Sequence, residues 1–151
     1  MVMVDQGRCR LDDRVSTYVP SFNRPDKVAI TLRQCFTHTS GMPVNHPAIA
    51  DDGITLAQAV DTLATIPMVA VPGSEFSYGG VSMHVAGRVC EVVSGRSWNQ
   101  LFADVLATPL GLVSTDYLAF GPTQNPRIAG GVRSNVVDYA RFVEMLRRRG
   151  S

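Results

Sequence analysis

The sequence predicts an α+β chain built mainly of helices, with few short strands. Two observations carry this reading. Apolar residues recur at helical spacing in four separate segments: Leu56/Ala59/Val60/Leu63, Val81/Val85/Val89/Val92, Trp98/Leu101/Phe102/Val105/Leu106 and Val136/Val137/Ala140/Val143/Leu146. Between Thr115 and Arg133 that period fades, and Gly121, Pro122, Pro126 and Gly130-Gly131 mark loops around two short strands. Nothing along the chain completes a parallel sheet.

Taken in order, Met1 to Val4 reads as the last turn of a helix, with Gly7 ending it in the left-handed conformation. Leu11 to Phe22 has no sustained period and reads as turn, short helix and loop. Thr31 caps a short helix over Leu32–His38, which Gly41 and Pro43 stop. Asn45 to Gly53 is a polar surface loop. Thr55 caps the next helix, which Pro67 ends, and Pro72-Gly73 is a turn. The valine stripe is β-branched, yet its i, i+4, i+8, i+11 spacing favours helix up to Gly95. Ser97 with Gln100 is a capping box for a helix opening at Trp98 and closed by Pro109-Leu110-Gly111. Ser134 caps the last helix, and Arg147-Arg148-Arg149 complements the negative end of its dipole or forms a solvated face.

Length and composition fit one folded domain. A chain of 151 residues buries roughly 70% of its unfolded surface. With 45% hydrophobic and 18% charged residues, the chain is too apolar for disorder. A formal charge of +1 gives no field for nucleic acid or an anionic membrane. Cys9, Cys35 and Cys90 lie far apart with no C-x-x-C, which argues against a disulfide framework or a zinc site and for buried thiols. The three histidines give no metal spacing, so no metal is expected. No run approaches the ~20 apolar residues of a membrane span, and Met1 to Val4 is too short for a signal-peptide core.

Generic motifs fail. Gly80-Val81-Ser82-Met83-His84 has His84 where a nucleophile elbow needs its second Gly, and the periodicity puts Ser82 in the first turn of a helix. No phosphate-binding glycine loop is present. What does appear is an ordered series: Leu11-Asp12-Asp13-Arg14-Val15, Tyr18-Val19-Pro20, Ile30-Thr31-Leu32-Arg33, Thr37-His38-Thr39-Ser40-Gly41-Met42-Pro43, Pro72-Gly73-Ser74-Glu75-Phe76-Ser77-Tyr78, Ala86-Gly87-Arg88-Val89, Pro109-Leu110-Gly111-Leu112 and Ala129-Gly130-Gly131-Val132-Arg133-Ser134. From Leu11 to Leu146 this series resembles the serine β-lactamase-related family, which comprises class C β-lactamases, D-alanyl-D-alanine carboxypeptidases and related esterases.

The resemblance implies a β-lactamase/transpeptidase-like fold and hydrolysis through an acylated serine, with no metal or organic cofactor. In that family the Ser of Ser-x-x-Lys is acylated, the Tyr of Tyr-x-Asn assists proton transfer, and Lys-Thr-Gly or His-x-Gly lies on a late strand. Tyr78 falls at the Tyr position, as candidate general acid/base. A phenol with an unperturbed pKa of ~10 is a poor base at neutral pH unless cations nearby favour its phenolate. The alternative is a packed Tyr with its hydroxyl tethered. Gly80 stands where the family has Asn, a substrate-binding position, and this departure leans away from a true β-lactamase, towards an esterase or an uncharacterised relative. Asn45, in Gly41-Met42-Pro43-Val44-Asn45, resembles an amide lining the class C pocket, or is a plain surface Asn. His38 is either a base or, through its ring, a local tether of the turn at Ser40-Gly41.

Two departures bound the claim. The only lysine, Lys27, has Arg24 three residues before it, so no Ser-x-x-Lys exists, and no Lys or His is followed by x-Gly. The resemblance places the first motif before Met1 and the third beyond Ser151, making residues 1–151 a partial domain without the nucleophile or the C-terminal sheet strands. The expected partner is a small-molecule or peptide substrate; periplasmic or secreted location follows only from family habit, and oligomeric state stays open. The rival reading is a shortened, non-catalytic relative that binds a peptidoglycan fragment or a partner protein.

Overall fold

A computed structural model describes residues 1–150. Its helices are α1 (Val2–Asp5), α2 (Leu32–Phe36), α3 (Leu56–Leu63), α4 (Gly80–Ser94), α5 (Trp98–Phe102), α6 (Thr108–Leu110) and α7 (Val136–Arg147), with 3-10 turns at Val15–Thr17, Pro20–Phe22 and Pro47–Ala50. Helix α4 is the centre, with α2, α3 and α5 packed around it. Val81, Val85 and Val89 are fully buried there against Leu32, Cys35, Val60 and Leu63. Each such side chain contributes about 1.5–3 kcal/mol by leaving water. The stripe ends differently from expectation: Val92 is exposed, and Val93 packs on the core instead. The step that keeps to the face of Val85 and Val89 is i+4, not i+3.

Capping follows local chemistry. The box foreseen at Ser97/Gln100 forms, and Thr31/Gln34 and Thr55/Gln58 make the same reciprocal pair. Helix α2 ends two residues earlier than expected, because His38 turns into the left-handed region at φ 57. Gly7 is left-handed after α1, as expected, and α4 stops at Gly95 as the spacing implied, there too in the left-handed region. From α5 the chain stays helical to Leu110 through a π-helical stretch, Ala103–Ala107. Pro109 has no N–H to give to the preceding turn, which is where such a widened turn forms.

The C-terminal third departs most from the sequence reading. Among the described residues there is no strand, only two isolated antiparallel bridges, Arg14 with Thr31 and Asp116 with Arg133. The N-cap of α7 is Asn135, whose Oδ1 accepts from the Asp138 N–H at 2.8 Å; Ser134 instead pairs with the Thr115 hydroxyl. The apolar face expected to be buried is not. Val136 is 83% exposed, and Val137, Val143 and Leu146 are exposed too. What docks α7 is Asp138, buried and accepting from Ser114 N–H (2.7 Å) and Thr115 Oγ1 (3.0 Å). The Ser114 N–H is the main cause holding this carboxyl below the ordinary range. At the far end, Arg147 and Arg148 grip Glu144 and hold its carboxyl down to about 2.

The one lysine is structural. Lys27 is 1% exposed, and its Nζ donates to Asp26 Oδ2 (2.6 Å) and to the Ile66 carbonyl (2.7 Å), tying the loop after Phe22 to the end of α3. Cys9 and Cys35 are buried thiols and Cys90 is half-buried; burial pushes Cys35 up to about 12 and Cys90 to about 11.

Candidate active-site cleft

The N-terminus of α4 is built by two segments pressed together. Gly79 lies so close to Val44 that a Cβ there would meet the Val44 carbonyl oxygen at 2.2 Å, so only glycine fits. The Gly80 N–H donates to the same carbonyl at 2.8 Å, and the Ser77 N–H donates to His38 O at 2.8 Å. Beneath, Ser82 Oγ and Ser40 Oγ are 2.6 Å apart and buried, and Met42 N–H donates to Ser40 Oγ. Ser82 is therefore in the first turn of the helix, as the periodicity implied, and its hydroxyl ties α4 to the turn at Ser40.

These contacts put Tyr78 on the rim of a cleft of about 610 Å³ that also takes in His38, Gly80, Met83, Phe120 and Arg127. Tyr78 is 75% exposed, and its ring lies on the His38 ring with centroids 4.6 Å apart at 49°. Its hydroxyl bonds no described residue, so the tethered-Tyr alternative finds no tether. His38 tethers the site, but not through its own turn: its Nδ1 accepts from the Gly79 N–H, 41 residues away, at 3.4 Å. Gly80 lines the cleft, with the Ile49 side chain 3.1 Å from where its Cβ would stand. Asn45 does not join them. It is exposed on the adjoining loop, and its Oδ1 accepts from the neighbouring His46 N–H at 2.9 Å.

The floor is a polar knot that the sequence reading missed. Asn125, fully buried, donates through Nδ2 to Ala48 O (2.8 Å) and Asp51 O (3.0 Å), which leaves Oδ1 to accept from His84 Nε2 at 2.7 Å. His84 is thereby set in the Nε2–H form, and burial pushes its pKa below the ordinary value, against the opposing Asn125 bond. Arg127 was missed as well. Its guanidinium carbon sits 3.8 Å above the centre of the Phe120 ring. A signal existed: no acid lies between Asp116 and Asp138, and of the two arginines in that stretch Arg133 takes Asp116. Among the described residues no Asp or Glu lines the cleft. Among the described residues no three His, Cys, Asp or Glu side chains group as a metal site, and no helix is long and apolar enough to cross a membrane.

Comparison with known proteins gives one answer. The β-lactamase family profile matches residues 1–151. The chain is 36% identical over 116 residues to penicillin-binding protein 4 of Amycolatopsis lactamdurans, covering 74% of this chain and 30% of that protein. It is 31% identical over 123 residues to the D-alanyl-D-alanine-carboxypeptidase/endopeptidase AmpH of Escherichia coli (strain K12), covering 76% and 32%. Among solved structures, a candidate β-lactamase from Bacteroides dorei DSM 17855 superposes with a TM-score of 0.88 at 34% identity, over 99% of this chain and 46% of that one. The chain thus spans about a third of the length of the curated relatives it matches.

Proposed function

The chain belongs to the β-lactamase family and shares the β-lactamase/transpeptidase-like fold, and from that premise we propose that it is part of a serine hydrolase working through an acyl-enzyme. The substrate is an ester or amide: a β-lactam, a D-amino peptide or a carboxylic ester. In this reading the acylated Ser and its Lys lie outside these 151 residues, as does the third motif, and the relatives' threefold greater length supports that. Residues 1–151 alone are then inert towards such substrates, having a candidate base and no nucleophile for it to activate.

The observation that carries the reading is Tyr78. Its phenol stands at the cleft rim, braced by His38 and with its hydroxyl bound to no described residue. A phenolate oxygen so placed, favoured by the cations that the family brings beside it, can take the proton of an attacking Ser Oγ, and the phenol so formed returns that proton to the leaving group; water then repeats the cycle on the acyl-enzyme. Gly80 forms part of the substrate-facing wall. Asn45, next to Val44 on the adjoining loop, lies outside that wall, with its Oδ1 accepting from the His46 N–H.

The test is Tyr78→Phe in the full-length gene product, assayed with p-nitrophenyl acetate and a chromogenic cephalosporin. Turnover should fall by about 10²–10⁴-fold, while stability stays within about 0.5 kcal/mol because the side chain is exposed. A variant that keeps wild-type turnover removes Tyr78 from the chemistry. A wild-type protein inert on every ester and amide offered leaves the binding-module reading.

A further inference from the structure

Arg127 stands apart from the other cations of the chain. Only two described arginines are half-buried, Arg88 and Arg127, and Arg88 is paired with Glu91 at 2.9 Å. Among the described residues Arg127 finds no ion-pair partner and no side-chain hydrogen bond, and its Nε is buried without a partner. Among the described residues it is the only Arg or Lys lining the cleft, and no acid faces it there. The group is also held in place. Asn125, two residues earlier, is locked by three hydrogen bonds, and the Gly130 and Gly131 N–H groups both donate to the Arg127 carbonyl, at 3.0 and 2.6 Å. The Phe120 ring lies against the guanidinium, its centre 3.8 Å from the guanidinium carbon. A fixed, half-desolvated cation in a cleft without counter-charge attracts an anion more strongly than a surface arginine does.

We infer that Arg127 anchors a carboxylate carried by the substrate, so that the cleft selects anionic over neutral acyl compounds. This rests on the hydrolase reading above. The planar guanidinium fork matches a carboxylate through two parallel N–H···O bonds, a geometry an ammonium cannot copy. Tyr78 and Arg127 line the same cleft, so one ligand can reach both.

The experiment compares two esters of equal chain length in the full-length gene product: the p-nitrophenyl monoester of glutaric acid, which is anionic, and p-nitrophenyl pentanoate, which is neutral. In Arg127→Gln the ratio of their kcat/KM values, anionic over neutral, should fall by about tenfold or more, mainly through KM, with Arg127→Lys between. A ratio within about twofold of wild type overturns the inference and makes Arg127 a packing residue. Calorimetric titration with glutarate reads the same contact without turnover, and R127Q should bind it about tenfold more weakly. If neither ester is cleaved but glutarate affinity drops in R127Q, the hydrolase reading fails and the anion site stands. If the esters are cleaved with ratio and glutarate affinity both unchanged, the reverse holds. Should R127Q lose its circular dichroism signature, the wild-type protein decides: a preference for the anionic ester that does not weaken between about 0.02 and about 0.5 M salt overturns the inference.

Discussion

His84 shows how a buried side chain shapes the floor of a site. It lies under the cleft, its Nε2 committed to Asn125 and its ring out of water. Burial lowers its pKa below that of a free histidine, so at mildly acidic pH the unfolded chain takes up a proton that the folded chain refuses. The stability tied to the neutral ring is complete above the unfolded value of ~6.5 and is lost as pH falls below it, by at most about 1.4 kcal/mol per pH unit. Urea titrations between about pH 7.5 and about pH 5.5 should show this slope in wild type, and a shallower one in His84→Gln, which can still donate to Asn125. Equal slopes would mean that the ring is protonated, or open to water, in the folded protein. Neither His84 nor Asn125 was legible from sequence as a pair. They are 41 positions apart, and a lone His on a valine-striped helix carries no sign of its partner.

Among the elements, the helix starts were the most legible. Ser or Thr with Gln three residues later fixes an N-terminus through bonds within one turn, so tertiary context has little to overrule. The exception is α7, where Ser134 and Asn135 are both competent caps and the sequence alone does not choose. Thr115, from a segment 19 residues earlier, takes the Ser134 hydroxyl, and Asn135 is left to cap. Asn135→Ala should therefore cost about 1 kcal/mol, read as faster amide exchange through the first turns of α7. Ser134→Ala should cost only a few tenths. The opposite order would restore Ser134 as the cap.

For the whole molecule, the exposed apolar surface is the telling feature. Val136, Val137, Tyr139, Val143 and Leu146 lie exposed along α7, and Val71, Phe76 and Val113 add to them elsewhere. An apolar cavity of about 290 Å³ also opens where α1, α4 and α5 meet. Contiguous apolar surface of this kind is normally covered in a soluble monomer. The isolated 151-residue chain should bind an apolar dye such as ANS and self-associate on sizing columns as its concentration rises. A dye-silent, monodisperse chain would show that the α7 stripe is tolerated in water.

The sequence by itself determined what local rules govern: the valine helix, the capping box at Ser97/Gln100, the left-handed Gly7, the place of Ser82 inside a helix and the family resemblance that the comparisons bear out. Each depends on residues within a few positions of one another, or on an ordered series of short motifs. The tertiary structure alone decided that Asn45 stands outside the cleft while Tyr78, Gly80 and Arg127 line it, and that α7 hangs from a buried Asp138 with its apolar face uncovered. It also reduced the expected strands between Thr115 and Arg133 to one bridge. Those outcomes rest on contacts between segments tens of residues apart, where hydrogen-bond partners and buried faces are settled by competition across the fold, and periodicity registers only that a face exists, not what covers it.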